Sequence, residues 1–362
     1  MATNKNQHFV HRGYLRPFTI DEANAAINLY NIDRQKFIPL APVKNQCSRD
    51  YFYGQDESLE RAIRSVEDGY TTALHEILKP SYVLTNEHRT ILRTFWLFQY
   101  LRTEAAAIKS VEMMSSISDV AGIQDPSFKL TIKDAVIIAM RTFGRAMHVI
   151  DDLKICLVRN KTQTPFFTSD DPAVLTNRWW LTDQRTQGRS FGVGSAGVII
   201  LLPLSPKLLC IGYDGDVYSI PHNQGLIEVH KERDIASFNQ HQILNCRANL
   251  FVQRAEHSNV VHKAYMETAK NRLTIRHEVN YAIHDGNEGE YVRYRTVDSK
   301  TCEEHTEALI HIKAVNSIPL FWPKQIAFRN KGKVFTNGTG LGYIRHAGTD
   351  RSTQLRFYKE SA

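Results

Sequence analysis

Apolar residues recur at helical spacing through the first half of the chain. Between residues 58 and 79 they fall three or four positions apart, and Pro80 follows the end of the pattern. Comparable patterns cover 86–114, which is apolar on two sides, and 132–150. Because side chains three and four positions apart share one face of a helix, these ranges predict three amphipathic helices, with the middle one central in the packing.

Beyond residue 152 the spacing becomes typical of strands. The range 154–159 alternates, 198–204 is an apolar run of strand length, and Asp214-Gly215 between two apolar runs indicates a hairpin turn. We therefore predict an α+β fold, in which a helical bundle-like half packs against a mostly antiparallel sheet and a β-rich C-terminal extension follows. The predicted parts are an N-terminal extended segment joining the core (1–55), a helical part (56–152), an α+β part (153–270) and a basic β-rich extension (271–362).

The composition is typical of a globular protein without a membrane span. Hydrophobic residues make up 42% and charged residues 23% of the chain, as in ordinary globular proteins. The longest apolar run is far shorter than the roughly twenty residues of a membrane span, and the first residues lack the apolar core of a signal peptide. The five cysteines are scattered, without metal or redox spacing. A cytoplasmic protein with reduced thiols and no membrane partner is the prediction.

Positive charge is concentrated near the end of the chain. The net charge is +7, and the segment 321–362 alone has eight Lys or Arg against two acids. Interleaved aromatic residues suit a nucleic acid, because cations neutralise phosphate and rings stack on bases. The favoured alternative is a solvated β surface, since strand alternation gives the same pattern. The nucleic-acid-binding candidates are Lys324, Arg329, Lys331 and Lys333.

Two polar residues interrupt an apolar helical stripe. Gln99 and Arg102 fall on the same face as Leu92 and Phe95 in the predicted middle helix. A long amide and a guanidinium need partners once they are buried, so they either tie the structure together or line a site.

The N-terminal segment and one strand end carry candidate proton-transfer groups. His8 has an ordinary pKa near neutrality and is a candidate acid or base, although it could equally staple the terminus to a neighbouring backbone. His8 and His11 have metal-ligand spacing, but no second ligand pair accompanies them, so no metal site is predicted. Asp170 and Asp171 follow a buried strand, where catalysis and turn formation compete for Asp170 and turn formation is favoured for Asp171.

A further set of carboxamides falls on a predicted helix near residue 240. Asn239 and Gln242 share a face with Cys246 and Asn249. They form a second polar stripe whose members could satisfy one another.

Several short motifs, in this order, resemble one known family. They are Asn6-Gln7-His8-Phe9-Val10, Arg16-x-Phe18, Tyr51-Phe52-Tyr53-Gly54, Gln99-x-x-Arg102-Thr103, Phe167-Thr168-Ser169-Asp170-x-Pro172, Pro203-Leu204-Ser205-Pro206 and Asn239-x-x-Gln242. The chain resembles the domain of unknown function 4238 family over about residues 5–255. The family implies no settled activity, and the basic segment after residue 271 lies outside the resemblance. The residues that carry the motif are His8, Gln99, Arg102, Ser169, Asp170, Asn239 and Gln242.

Our first hypothesis is that these side chains converge in one cleft. An intracellular hydrolase acting on a phosphate-containing substrate, nucleic acid above all, would use His8 and Asp170 to move protons and Arg102 to clamp the anion. The substrate-binding residues would be Gln99, Ser169, Asn239 and Gln242. The alternative is a non-enzymatic binding module whose polar network is structural and whose basic tail docks an acidic partner. The cofactor, if any, and the oligomeric state do not follow from the sequence.

Overall fold

Helices and mostly antiparallel sheets alternate along the chain, and they confirm the predicted α+β class. The computed structural model describes residues 5–21, 24–123, 125–289, 291–300, 308–336, 342–345 and 358–361. Within them the helices are α1 (Arg12–Leu15), α2 (Glu57–Ile77), α3 (Asn86–Arg102), α4 (Glu104–Ala121), α5 (Ile132–Ala146), α6 (Arg178–Thr182), α7 (Glu232–Asn245) and α8 (Ser258–Thr268).

The first helices begin where short polar side chains cap them. Asp56 accepts hydrogen bonds from the N–H groups of Ser58 and Leu59 and starts α2. Thr85 accepts from the His88 N–H and starts α3. A side-chain oxygen at this position satisfies N–H groups that have no partner inside the helix.

The predicted single helix over 86–114 is wrong, because Thr103 divides it. Thr103 has an extended backbone, with φ −70° and ψ 155°, and its side chain accepts from the Ala106 N–H. It therefore ends α3 and caps α4, so that the polar stripe of Gln99 and Arg102 stands at a helix terminus.

The strands are short and belong to several sheets. In chain order they are β1 (Asn6–His8), β2 (Ala26–Asn31), β3 (Lys36–Pro42), β4 (Ser48–Asp50), β5 (Lys154–Asn160), β6 (Thr168–Ser169), β7 (Val174–Thr176), β8 (Ile199–Ser205), β9 (Leu208–Tyr213), β10 (Tyr218–Ser219), β11 (Leu226–Val229), β12 (Asn249–Val252), β13 (His277–Glu288), β14 (Tyr291–Val297), β15 (Ala308–Ala314), β16 (Ala327–Phe328), β17 (Lys333–Thr336), β18 (Tyr343–Ile344) and β19 (Tyr358–Ser361).

A five-stranded sheet with the order β11-β5-β9-β8-β7 lies at the centre, antiparallel except for the β11–β5 pair. A four-stranded antiparallel sheet, β3-β2-β12-β6, joins the N-terminal segment to the strands that flank α7. Strands β14-β13-β15 form a separate three-stranded sheet in the C-terminal extension. The remaining pairings are β1-β4, β10-β16 and β18-β17-β19.

The predicted hairpin at Asp214-Gly215 is also wrong. The tight connection lies between β8 and β9, where Ser205 pairs with Leu208. Asp214 instead accepts from the N–H groups of Gly197 and Asp216, which directs the chain away from β9. The next strand, β10, pairs with β16 of the C-terminal extension.

Two large apolar cores lie on opposite faces of the central sheet. Ile155 and Leu157 of β5 face the core formed with the helical half, while Cys156 and Val158 face the second core. The second core includes Ile326 and Val334 of the C-terminal segment. The N-terminal segment shares the first core with the helices, and the four predicted parts remain a prediction as domains.

Among the described residues, no helix combines the length and apolar character that crossing a membrane requires. The cytoplasmic location remains a prediction. Four of the cysteines lie within the described ranges, each buried and without a disulfide, and the fifth, Cys302, lies outside them.

Candidate functional site

Arg102 is held by protein groups on three sides. Its side chain is 0% exposed at the end of α3. Nε donates to Tyr53 Oη at 2.7 Å, Nη2 donates to the His8 carbonyl at 2.5 Å, and Nη1 pairs with Glu67 Oε1 at 2.6 Å. These bonds tie β1, the segment before α2, and α2 itself to the end of α3. The guanidinium that the sequence predicts as a substrate clamp is thus engaged internally.

Gln99 fastens the same N-terminal segment one helical turn earlier. Its Nε2 donates to the Phe9 carbonyl at 2.8 Å, and both groups are buried. The Oε1 atom is buried and has no partner in the described part of the chain. Gln99 therefore contributes one bond to the fold and retains one unused acceptor.

His8 lines a small cavity beside the Arg102 network, which we call the histidine cavity. It measures about 180 Å³, and His11 and Glu67 also line it, with Nε2 of His11 3.7 Å from Oε2 of Glu67. Burial, with help from the charge of Arg12, lowers the pKa of His8 to about 4. The imidazole is consequently neutral at pH 7, and its proton-transfer role remains a prediction.

Asp170 fastens β6 to the turn between α7 and β12. The residue is 7% exposed. Its Oδ1 accepts from the Arg247 N–H at 2.9 Å, and its Oδ2 accepts from the N–H groups of Ala248 and Asn249 at 2.8 and 2.9 Å. Burial raises the pKa of Asp170, and these three N–H groups oppose the rise. This bonding accounts for a carboxylate at this position without any catalytic role.

Ser169, Asn239 and Gln242 are likewise bonded within the fold. Ser169 Oγ donates to Gln242 Oε1 at 2.8 Å, and Gln242 Nε2 donates to the Pro172 carbonyl at 2.8 Å. Asn239 Oδ1 accepts from the Phe167 N–H at 3.0 Å, and its Nδ2 donates to the Pro165 carbonyl. These amides join α7 to the β6 segment.

The structure divides the predicted site residues into two groups and does not gather them in one cleft. The histidine cavity is lined by His8 and Arg102, and the described residues around it include neither Asp170 nor its neighbours. The physical reason is that these groups bond mainly to the segment beside them, Gln99 and Arg102 to the β1 segment and Asp170 to the turn before β12. The first group is His8, Gln99 and Arg102, and the second is Ser169, Asp170, Asn239 and Gln242.

A larger cavity of about 580 Å³ opens beside Asp171. Its lining carries more positive than negative charge, since four cations stand against three acids. We call it the basic cavity. The cations are Lys109, Arg247, Arg272 and Arg276, and the acids are Asp33, Glu112 and Asp171.

Asp171 is held in this cavity by groups from α4 and α7. Thr103 Oγ1 donates to Asp171 Oδ1 at 2.9 Å, and Asn245 Nδ2 donates to the Asp171 carbonyl at 2.7 Å. Burial, reinforced by the charge of Asp170, raises the pKa of Asp171 to about 7. Asp170 thus has the turn-forming role, one of the two that the sequence left open for it, whereas Asp171, for which turn formation was favoured, lines the cavity.

Arg272 and Arg276 are fixed by the end of α7. Arg272 donates to the carbonyls of Ile243 and Cys246, and Arg276 Nη2 donates to the Leu244 carbonyl at 2.8 Å. Carbonyls at a helix C-terminus attract cations because they have no partners inside the helix. Desolvation, followed by the like charge of Arg276, lowers the pKa of Lys109, although Lys109 keeps solvent access.

A smaller space of about 90 Å³, which we call the inner chamber, adjoins the basic cavity. The two share Tyr100, Lys109, Asn245 and Arg276 as walls. His241 of α7 also lines the inner chamber. A ligand bound among the cations therefore has a second compartment beside it.

Sequence reasoning did not single out the cations of the basic cavity. Lys109 lies seven residues after Arg102, a spacing that would place both on one helical face and could have indicated it. The helix break at Thr103 interrupts that face. Arg272 and Arg276 had no comparable signal, because only the fold brings them to the end of α7.

The four candidate nucleic-acid-binding residues of the tail all lie on the surface. Between them, Ile326 and Val334 are buried in the second core, as strand alternation requires. Arg345 is different, because it is 3% exposed and pairs with Asp152 Oδ2 at 2.7 Å. The tail therefore covers a core and presents cations, and nucleic-acid binding remains a prediction.

In the described part of the chain, no three His, Cys, Asp or Glu side chains gather closely enough to hold a metal ion.

A comparison with known families tests the family membership that the motifs indicate. A family model described as "Protein of unknown function (DUF4238)" matches residues 6–256, which is more than half of the chain. The chain belongs to the DUF4238 family. No curated protein and no solved structure matches it. The predicted membership is thereby confirmed, with a range close to the expected 5–255.

The DUF4238 match ends inside the region that builds the basic cavity. Lys109, Asp171 and Arg247 lie within the matched range, whereas Arg272 and Arg276 follow it. The seven residues that carry the resemblance make up the two groups described above. In this DUF4238 protein the motifs thus stabilise the framework, while the cavity draws on residues from both sides of the match.

The pKa of Asp171 gives a test of its environment that needs no substrate. Its pKa is about 7 in the folded protein, above the ordinary value of 3.8, so the folded state binds the proton more tightly than the unfolded state does. Wild-type protein should therefore lose stability relative to Asp171→Asn as pH rises from about 4 to about 7. Urea unfolding of both proteins across this range measures the difference. A constant difference would show that Asp171 titrates normally.

Proposed function

We propose that the protein is a hydrolase that cleaves a phosphate ester in the basic cavity, with nucleic acid as the favoured substrate class. The observation that carries the proposal is a carboxylate held by Thr103 in a cavity of about 580 Å³ that four cations line. Cavities of this size suit organic ligands, and a few converging polar groups fix the orientation of what they bind.

The cations supply the affinity for a phosphate group. Guanidinium groups bind phosphate through paired hydrogen bonds, and an ammonium adds a compact charge. Arg272 and Arg276 are held by the carbonyls at the end of α7, so their positions are fixed before a ligand arrives. Preorganised cations stabilise the charge that develops on a transferring phosphoryl group.

Asp171 and Lys109 supply the proton transfers. As a water oxygen forms its bond to phosphorus, the Asp171 carboxylate takes a proton from that water. The P–O bond to the alcohol part breaks, and the leaving oxygen takes a proton from the Lys109 ammonium. Exchange with solvent then restores both groups. A carboxyl whose pKa is about 7 suits this task, because the best catalytic pKa lies near the working pH.

The C-terminal tail supports nucleic acid as the substrate class. Lys324, Arg329, Lys331 and Lys333 are exposed, and a row of cations adds affinity for a polyanion that decreases with salt. The Phe328 ring among them stacks on Tyr218 and lies against the Arg178 guanidinium, so the support comes from the cations and not from a free ring.

The replacement Asp171→Asn is expected to lower kcat at least a hundredfold against any phosphate ester that the wild-type protein hydrolyses, because the amide cannot accept the proton. In the wild type, kcat/KM should rise with pH through about 7, the pKa of Asp171. A panel of phosphomonoesters, phosphodiesters, RNA and DNA identifies the substrate, and steady-state assays from pH 5 to 9 measure both effects.

Lys109→Gln should raise KM or lower kcat. Lys129 is exposed and does not line the cavity, so Lys129→Gln serves as the control and should change neither. The variant His8→Ala tests the sequence-based prediction. Loss of turnover in His8→Ala with full turnover in Asp171→Asn would move the chemistry to the histidine cavity and overturn our assignment.

A second candidate is the non-enzymatic binding module. The observation that favours it is the complete internal bonding of Asp170 and the engagement of Arg102 by three protein groups. In that case the basic cavity would bind an anion without turnover, and the tail would dock an acidic partner. Tight phosphate binding without hydrolysis of any ester in the panel would favour this function.

A further inference from the structure

Two polar atoms of the inner chamber have no partner in the described part of the chain. His241 is 3% exposed, and its Nε2 is buried without a hydrogen bond. Ser317 Oγ, on the segment after β15, is buried and unpartnered as well. Both residues line the inner chamber. Leaving two such groups unsatisfied costs free energy, and a ligand that bonds them recovers it.

The size of the inner chamber limits what fits there. A space of about 90 Å³ holds on the order of six water molecules, since one water needs roughly 10–15 Å³ by this measure. That is room for a small hydroxylated group. Lys109 and Arg276 line both the inner chamber and the basic cavity.

We propose that the inner chamber binds the hydroxylated alcohol part of the substrate, so that the ligand of the combined site is a sugar phosphate. This inference rests on the proposed function for its phosphate half. The phosphate lies among the cations, and the sugar hydroxyls bond to His241 Nε2 and Ser317 Oγ.

The surroundings of His241 suit a neutral hydroxyl. Burial lowers the pKa of His241 to about 4, so the imidazole is uncharged at pH 7. Its ring packs against that of Trp322, with the ring centroids 5.3 Å apart. A neutral imidazole nitrogen donates or accepts according to its tautomer, and a hydroxyl complements either form.

The test compares ligands that share the phosphate and differ in the body. Inorganic phosphate, ribose 5-phosphate and n-pentyl phosphate are titrated by calorimetry into the full-length Asp171→Asn variant, which prevents turnover. Ribose 5-phosphate should bind about tenfold more tightly than n-pentyl phosphate, the effect of about one or two good hydrogen bonds. Adding His241→Phe should abolish this preference and leave the affinity for inorganic phosphate unchanged.

Ser317→Ala, which removes only a hydroxyl, should reduce the preference for ribose 5-phosphate over n-pentyl phosphate. It replaces His241→Phe as the test if that variant does not fold. His148→Phe, at an exposed position, is the control and should preserve it. If inorganic phosphate binds, two results would overturn the inference. One is equal binding of the two esters, and the other is a preference that survives both His241→Phe and Ser317→Ala. Failure of all three ligands to bind would overturn the proposed function together with it.

Discussion

Replacing Asp170 with alanine is expected to lower the free energy of unfolding by about 3–5 kcal/mol, the range for removing one partner of a buried charged network. Its carboxylate is the acceptor for the N–H groups of Arg247, Ala248 and Asn249. Without it, the buried Ala248 N–H loses its bond, and only backbone pairing still joins β6 to β12. Urea unfolding followed by tryptophan fluorescence measures the change.

The neighbouring carboxylate provides a matched control. Asp171→Ala should cost under about 1 kcal/mol at pH 8, because ionised Asp171 is already disfavoured by its burial. The two variants therefore separate structure from chemistry at adjacent positions. A stable Asp170→Ala protein that has lost turnover would return the catalytic role to Asp170 and contradict the structural assignment.

The replacement Arg102→Met is expected to cost about 3–5 kcal/mol for a related reason. Methionine fills the space but leaves Glu67 and Tyr53 Oη without the Arg102 donor, and the His8 carbonyl keeps only its bond from Tyr53 Oη at 3.2 Å. The exposed Arg145→Met on α5 is the control and should change stability by no more than about 0.5 kcal/mol.

A double-mutant cycle shows whether the cost comes from the ion pair. The double variant Arg102→Met with Glu67→Gln no longer has an uncompensated buried carboxylate. Its loss in the free energy of unfolding should therefore be smaller than the sum of the losses in the two single variants. Purely additive costs would mean that Glu67 is solvated well enough to dispense with Arg102. An Arg102→Met protein of wild-type stability without turnover would support the substrate clamp predicted from the sequence.

The parts of the fold that the sequence predicts well are those with a strong local signal. The amphipathic pattern over 58–79 corresponds to α2, and the pattern over 132–150 corresponds to α5 with a short 3-10 turn after it. Periodicity of apolar residues suffices there, because each helix has one face toward the core.

The break at Thr103 and the roles of the two aspartates could not be predicted in the same way. Thr103 lies in a continuous apolar pattern, and only its bond to Asp171 gives its side chain a partner across the fold. Asp170 and Asp171 have the same chemistry and adjacent positions. Their difference depends on the N–H groups of the 247–249 turn, which no local pattern connects to them.

The division of the basic cavity between the matched range and the residues after it suggests how selectivity could diverge among relatives. Arg272, Arg276 and Ser317 all follow residue 256, whereas the bonds of Asp170 and Arg102 precede it. Exchanging only residues 272–317 in a chimera would alter which anion is chosen and keep the bonds of Asp170 and Arg102 in place. A framework within the family match and a cavity wall partly outside it is one route by which a single family acquires many specificities.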